Sequence, residues 1–220
     1  MSLLRTNVDV NTISALTIVR LSIYLRCVER LASLGIETIS SQELARRFNL
    51  NPAQIRKDFA YFGEFGVRGV GYNVIELRSY LREILGLDRE HRLVIVGVGN
   101  LAMALANYSR FTGQSFLIVG MLDANPDKIG MRTPNGLMVE DAGRLADIVI
   151  QRNVEIGVIT TPASAAQKVC DDMASSGLKT ILNFAPVQVK APDGVLIRSV
   201  DLRVYLEELA FYLTHGIPEP

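Results

Sequence analysis

From residue 12 to residue 34, apolar side chains recur at helical spacing (Ile13, Leu16, Val19, Ile23, Leu31, Leu34). Gly35 then stands where a left-handed C-cap ends a helix. Ser40 with Glu43 forms a capping pair that opens a short second helix, turning Leu44 and Phe48 inward and Arg46 and Arg47 elsewhere. After Asn49 and Leu50, a third helix is predicted with Asn51 as N-cap, Pro52 at its first position and Gln54 reaching back. Two short helices joined this tightly predict a helix-turn-helix. Asn73 and Glu76 cap a further helix through Leu77, Leu81 and Leu85, which stops at Gly86.

On the third helix Ile55, Phe59 and Phe62 share a stripe, leaving Lys57, Ala60 and Tyr61 opposite and Gln54 and Arg56 on the flanks. Arg and Gln suit base edges, Lys and Tyr suit phosphates, and the small Ala53 and Ala60 permit close approach to a major groove. An ordinary solvated helix face has the same pattern. Gly63, Gly66, Gly69 and Gly71 punctuate Phe65, Val67, Arg68 and Val70, a hairpin candidate with Arg68 at its tip, as in a wing over a minor groove. A glycine-rich linker is the alternative. Ser41, Arg46, Gln54, Arg56, Lys57, Tyr61 and Arg68 are the DNA-binding candidates.

Beyond a hydrophilic stretch, Asp88 to Arg92, the rhythm changes to strand, turn, helix. Leu93 to Val96 is a β-branched run of the kind buried in parallel sheets, followed at once by Gly97, Val98, Gly99, Asn100, Leu101 and Ala102. In such a loop the first glycine makes the turn, the second admits a pyrophosphate, and the third small residue lets helix and strand pack closely. A second strand, Phe116 to Leu122, ends in Asp123, 21 residues beyond Ala102, where a carboxylate accepts from ribose hydroxyls and repels a 2′-phosphate. This favours NAD and NADH over their phosphorylated counterparts, with Lys128 nearby as the counter-indication. A helix around Leu145 to Val149, strand Ile156 to Thr160, helix near Pro162 and strand Thr180 to Asn183 complete a doubly wound sheet. Ligands in such sheets sit beyond the strand carboxyl ends, which nominates Thr160, Thr161, Pro162, Asn183, Phe184, Ala185 and Pro186 as rim.

Length and charge refine this picture. The 220 residues suffice for two domains, and no apolar run is long enough to span a bilayer. The N-terminus lacks a basic region followed by an apolar core, so a cytoplasmic protein is expected. The net charge of zero hides an asymmetry: residues 1–86 carry 11 Lys plus Arg against 8 Asp plus Glu, and the rest compensates. Cys27 and Cys170 lack metal-ligand spacing and read as packing residues. A dehydrogenase needs a proton donor beside its substrate carbonyl, and His91 and His215 are badly placed for that role. Tyr108 reads as a packing or sensing residue.

The chain resembles the Rex redox-sensing transcriptional repressors of bacteria. The resemblance is carried by QIRKDFAYFGEFGVRGVGY from Gln54 to Tyr72, VGVGNLA from Val96 to Ala102 and LNFAPV from Leu182 to Val187. It implies a winged-helix DNA-binding domain (1–86), an NAD(H)-binding Rossmann domain (87–200) and a C-terminal helix and tail (201–220) exchanged in a homodimer. Leu202, Leu206, Leu209, Ala210 and Leu213 supply an apolar stripe for that exchange. It further implies repression of operator DNA in the apo or NAD-bound state and release by NADH, with Arg26, Tyr108 and Asp201 as switch candidates. Ala102 departs from the usual third glycine. The alternatives are an NAD-dependent oxidoreductase with an appended helical domain and a CoA-binding module of similar fold.

Overall fold

The computed structural model describes residues 12–63, 65–67, 69–108 and 115–217. The chain divides into two compact units, Met1–Arg89 and Glu90–Pro220.

The first unit is built from α1 (Ala15–Ser33), β1 (Thr38–Ile39), α2 (Ser41–Phe48), α3 (Pro52–Ala60), β2 (Tyr72–Asn73) and α4 (Val74–Ile84). Its helices start where side chains satisfy the open N–H groups. Ser14 accepts from Thr17 N, Ser40 from Glu43 N, Asn51 from Ala53 N and Gln54 N, and Asn73 from Ile75 N and Glu76 N. One core joins Leu21, Val28 and Leu31 of α1 to Leu44, Ile55, Phe59, Leu77 and Leu81. Phe59 stacks edge-on with Tyr24, Phe65 and Tyr72, which ties α3 to the segment that follows it. That segment is a tight hairpin: Val67 and Gly71 exchange both backbone hydrogen bonds, and β2 pairs antiparallel with β1. Gly66 (φ 79°) and Gly71 (φ 106°) are obligatory there, since a Cβ at Gly66 would lie 2.3 Å from Gly71 O and one at Gly71 2.5 Å from Ile39 O. Arg68, the expected tip residue, lies outside the described residues.

Among its described residues the second unit holds six parallel strands: β3 (His91–Val96), β4 (Phe116–Asp123), β5 (Val139–Asp141), β6 (Ile156–Ile159), β7 (Thr180–Asn183) and β8 (Leu196–Ser199). Their spatial order is β5-β4-β3-β6-β7-β8, the 3-2-1-4-5-6 order of a dinucleotide-type Rossmann sheet. Alternation along β3 sends Leu93 and Ile95 to one face, against Ala102 and Ala106 of α5 (Asn100–Asn107). Val94 and Val96 go to the other, against α6 (Leu145–Gln151) and α7 (Ala163–Ser175). The edge strands β5 and β8 escape a sequence reading because each is three or four residues long without clear alternation. α8 (Leu202–His215) follows with no buried residue; Leu206 is 66% and Leu213 82% exposed. Both cysteines are buried and free.

Candidate functional site

In the first unit, Arg56, Lys57 and Tyr61 lie exposed on or just beyond α3, and Arg46 is exposed on α2. Arg56 Nη1 donates to Ser41 Oγ at 2.9 Å, which joins the N-terminus of α2 to α3. Arg46 and Arg47 both donate to Glu43, whose carboxyl is held down at about 2 by them. The capping box expected at Glu43 is therefore half-made: Ser40 caps the Glu43 amide, while the Glu43 side chain serves the arginines.

Gln54 does not reach back to its N-cap either. Its Nε2 donates forward to Asp58 Oδ1 at 2.8 Å. Asp58 is fully buried and takes Arg20 Nε at 2.6 Å, Arg20 Nη2 at 2.7 Å and the Tyr24 hydroxyl at 3.0 Å. Burial alone would raise the Asp58 pKa, but the hydrogen bonds from Arg20, Gln54 and Tyr24 outweigh it and hold the carboxyl below its ordinary value. Burial, then the hydrogen bond to Asp58, pushes the Tyr24 phenol up to about 12. This latch between α1 and α3 went unread in the sequence. Its signal was present: Asp58 sits among the inward positions Ile55 and Phe59, where an acid needs a buried partner, and Arg20 interrupts an apolar helix.

In the second unit the turn after β3 meets the loop after β6 at the point where strand order reverses, the ligand position of open α/β sheets. Gly97 has φ 98°, and a Cβ there would lie 2.6 Å from Thr161 Cγ2 and 2.8 Å from Thr161 N. Thr160 Oγ1 closes the crossing by donating to Gly97 O at 2.7 Å. Gly99 differs: its φ is −104° and a Cβ would meet nothing within 4 Å, so the space before it is open. It is the N-cap of α5, and no side chain caps that end, so the helix presents its amide groups and positive dipole end there. Asn100 and Leu101 are exposed in the first turn, whereas Val98 and Ala102 are buried and build the turn from beneath. Ala102 at 0% exposure fills the third small position with room for one methyl group only.

Asp123, at the end of β4, staples this turn. Its Oδ2 accepts from Val98 N at 2.7 Å and Lys128 Nζ at 2.9 Å, and its Oδ1 from Asn125 N at 2.8 Å. Burial opposes ionisation, but the Asn125 amide, Lys128 and the Val98 amide lower its pKa, so it stands as a carboxylate. Thr161 Oγ1 is a buried hydroxyl with no partner among the described residues. Pro162 is exposed and stands as the N-cap of α7. Asn183 is fully buried, and its side chain is spent on its own loop, accepting from Ala185 N at 2.9 Å and donating to Val187 O at 2.9 Å. It shapes the loop of Phe184, Ala185 and Pro186, where Phe184 is half-buried, Ala185 buried and Pro186 exposed. Arg26 is exposed on α1, Tyr108 is exposed at the end of α5, and Asp201 caps α8 by accepting from Arg203 N. The open cradle at Gly99 and the uncapped helix end fit a dinucleotide pyrophosphate, and Thr161, with its orphan hydroxyl, packs against Gly97 of the same turn.

Together the units define a winged-helix module joined to a dinucleotide-type Rossmann domain. Residues 12–60 match the family model "Putative DNA-binding protein N-terminus" and residues 88–187 the model "CoA binding domain". The chain is 46% identical over 200 residues to the redox-sensing transcriptional repressor Rex of Syntrophobacter fumaroxidans, covering 91% of this chain and 95% of that protein. It is 49% identical over 197 residues to that of Pelotomaculum thermopropionicum, covering 90% and 92%. Solved structures of RSP, a Rex-family repressor, match as well. Its complex with β-NAD+ and operator DNA has a TM-score of 0.87 at 36% identity, covering 92% of this chain and 93% of that one. Its complex with β-NADH has a TM-score of 0.83 at 35% identity, covering 92% and 94%. The chain belongs to the Rex family of redox-sensing transcriptional repressors.

Proposed function

We propose that this chain is a cytoplasmic homodimeric repressor that binds a palindromic operator and releases it when NADH replaces NAD. The observation that carries the reading is the pairing, in one chain, of an exposed basic α3 with an open, uncapped glycine turn. Arg56, Lys57 and Tyr61 face a major groove, with Ser41 and Arg46 on phosphates, while Gln54 stands at the N-terminal end of α3; Arg68 is a further DNA-binding candidate from the sequence. Gly97, Gly99 and the α5 amides of Asn100 and Leu101 hold the pyrophosphate over Val98 and Ala102. Asp123 takes the adenosine ribose and excludes a 2′-phosphate, its Lys128 partner swinging out from a site where its side chain is 36% exposed. Thr160, Thr161, Pro162 and the Asn183 to Pro186 loop line the nicotinamide side, and the orphan Thr161 hydroxyl gains its missing partner there.

Bound NAD(H) supplies the redox difference: a cationic nicotinamide ring when oxidised, a neutral one when reduced. A neutral ring suits an apolar closure against Phe184, so the two forms favour different arrangements, and that differential affinity is the only source of the switch. Arg26, Tyr108 and Asp201 exchange partners between the arrangements, and the exposed apolar α8 supplies the subunit contact. The match to a CoA-binding model keeps coenzyme A as a competitor ligand.

Arg56→Ala combined with Lys57→Ala should abolish binding to a duplex selected by the native protein while leaving NADH titration unchanged. Loss of both activities overturns the separation of roles. A titration in which coenzyme A binds and NADH does not overturns the cofactor assignment.

A further inference from the structure

Gln54 is the third residue of α3, at the end of the second helix of a helix-turn-helix whose side chains meet base edges. A glutamine free to turn reads adenine with both ends of its amide, donor and acceptor together. Here one of the two amide hydrogens is already committed, which fixes which way the amide faces. Asp58 is buried and ionised, so it is an acceptor only, and the group facing it must be the Gln54 NH2. Asp58 cannot yield: both its oxygens are pinned by the Arg20 guanidinium, itself fixed to Thr17 Oγ1 at 3.1 Å, and Oδ2 also accepts from Tyr24. The Gln54 carbonyl oxygen is neither buried nor hydrogen-bonded among the described residues.

We infer that Gln54 presents its carbonyl oxygen to the groove and so selects an amino-bearing base, adenine or cytosine, over a keto-bearing guanine or thymine at one position of each half-site. Adenine N6 and cytosine N4 are the amino donors exposed in the major groove, whereas guanine O6 and thymine O4 are acceptors that would face the glutamine oxygen acceptor to acceptor. Asp58 and Arg20 act as positioning residues that fix which end of the amide faces out. The inference rests on the DNA-binding reading.

The test is selection from duplexes with a randomised central segment, using the full-length protein, Gln54→Ala and Asp58→Asn. The native protein should prefer A or C over G or T at the Gln54 position by about 5- to 10-fold, the effect of one good base contact. Gln54→Ala should erase that preference at that position alone and leave the others intact. Asp58→Asn supplies a partner that can donate as well as accept, so the Gln54 amide is freed to turn; the amino-over-keto ratio should fall to within about twofold while the other positions hold. Should Asp58→Asn fail to fold, Gln54→Ala decides alone, since it takes one hydrogen bond from Asp58 and leaves the Arg20 and Tyr24 donors in place. An unchanged profile in Gln54→Ala, or a Gln54-dependent preference for G or T, overturns the inference and leaves DNA binding standing. Failure of the native protein to enrich any duplex overturns both.

Discussion

Replacing Arg20 by Met tests the latch that seats α3. The substitution keeps much of the aliphatic stem and removes the guanidinium, leaving Asp58 at 0% exposure with only Tyr24 and Gln54 as donors. Breaking a buried ion pair on one side costs about 3–5 kcal/mol, and the low end applies because the Arg20 side chain is 31% exposed and Asp58 keeps two hydrogen bonds. About 3 kcal/mol corresponds to roughly a hundredfold faster opening of α3. Native-state hydrogen exchange of a peptide spanning Ile55 to Phe62 reads this directly and needs no two-state unfolding. Arg20→Met with Asp58→Leu should recover most of the loss, because the uncompensated charge is then gone. Acceleration of less than about fivefold in the single variant, under ~1 kcal/mol, would refute the latch as an energetic element. The pH dependence has two signs. The Asp58 pKa is lowered by folding, so its contribution is present above its ordinary value near 4 and fades as pH falls through the folded value. The Tyr24 pKa is raised to about 12, so its contribution is complete below about 10 and is lost as pH climbs towards 12. Exchange from α3 should accelerate beyond both limits.

The two glycines of the turn should respond differently. Gly97→Ala collides with Thr161 at 2.6 Å and forces φ 98° on a side chain, so it should lower thermal stability and NADH affinity together. A Cβ at Gly99 meets nothing within 4 Å, so for Gly99→Val a melting temperature close to native with NADH affinity lost at least tenfold is expected, by calorimetric titration; retained affinity would remove the pyrophosphate from this turn. On α2, Glu43→Gln releases Arg46 and Arg47 from their carboxylate. Duplex affinity should rise, and the slope of log K against log salt should steepen by roughly one unit per added phosphate contact. An unchanged slope would take Arg46 off the phosphates.

The alternation of α3 and the glycine turn after β3 were legible because each depends on local periodicity and on residues that have few other uses. The doubly wound class of sheet followed from strand and helix alternating, and the C-terminal helix from its spacing. What escaped depends on contacts distant in sequence. Arg20 and Asp58 are 38 residues apart, and only the packing of α1 on α3 brings them together. Gln54 and Glu43 are each placed well enough to reach back to an N-cap, yet each is drawn away by a nearby charge, Asp58 in one case and the two arginines in the other. Charged hydrogen bonds are stronger than neutral ones, and the local capping rule yields to them. Asn183 was nominated by its place at the end of β7, but its amide is consumed in shaping the loop. β5 was missed because Val139–Asp141 carries one inward residue and gains its place by pairing with β4.

The central claim is that one chain couples the redox state of a dinucleotide to DNA. The direct measurement is the affinity of the full-length protein for its selected duplex at fixed salt, first with saturating NAD and then with NADH added. NAD should leave binding intact and NADH should weaken it by at least tenfold, a coupling of about 1.4 kcal/mol or more. Equal affinity in the two cofactors, with NADH shown to be bound, would contradict it.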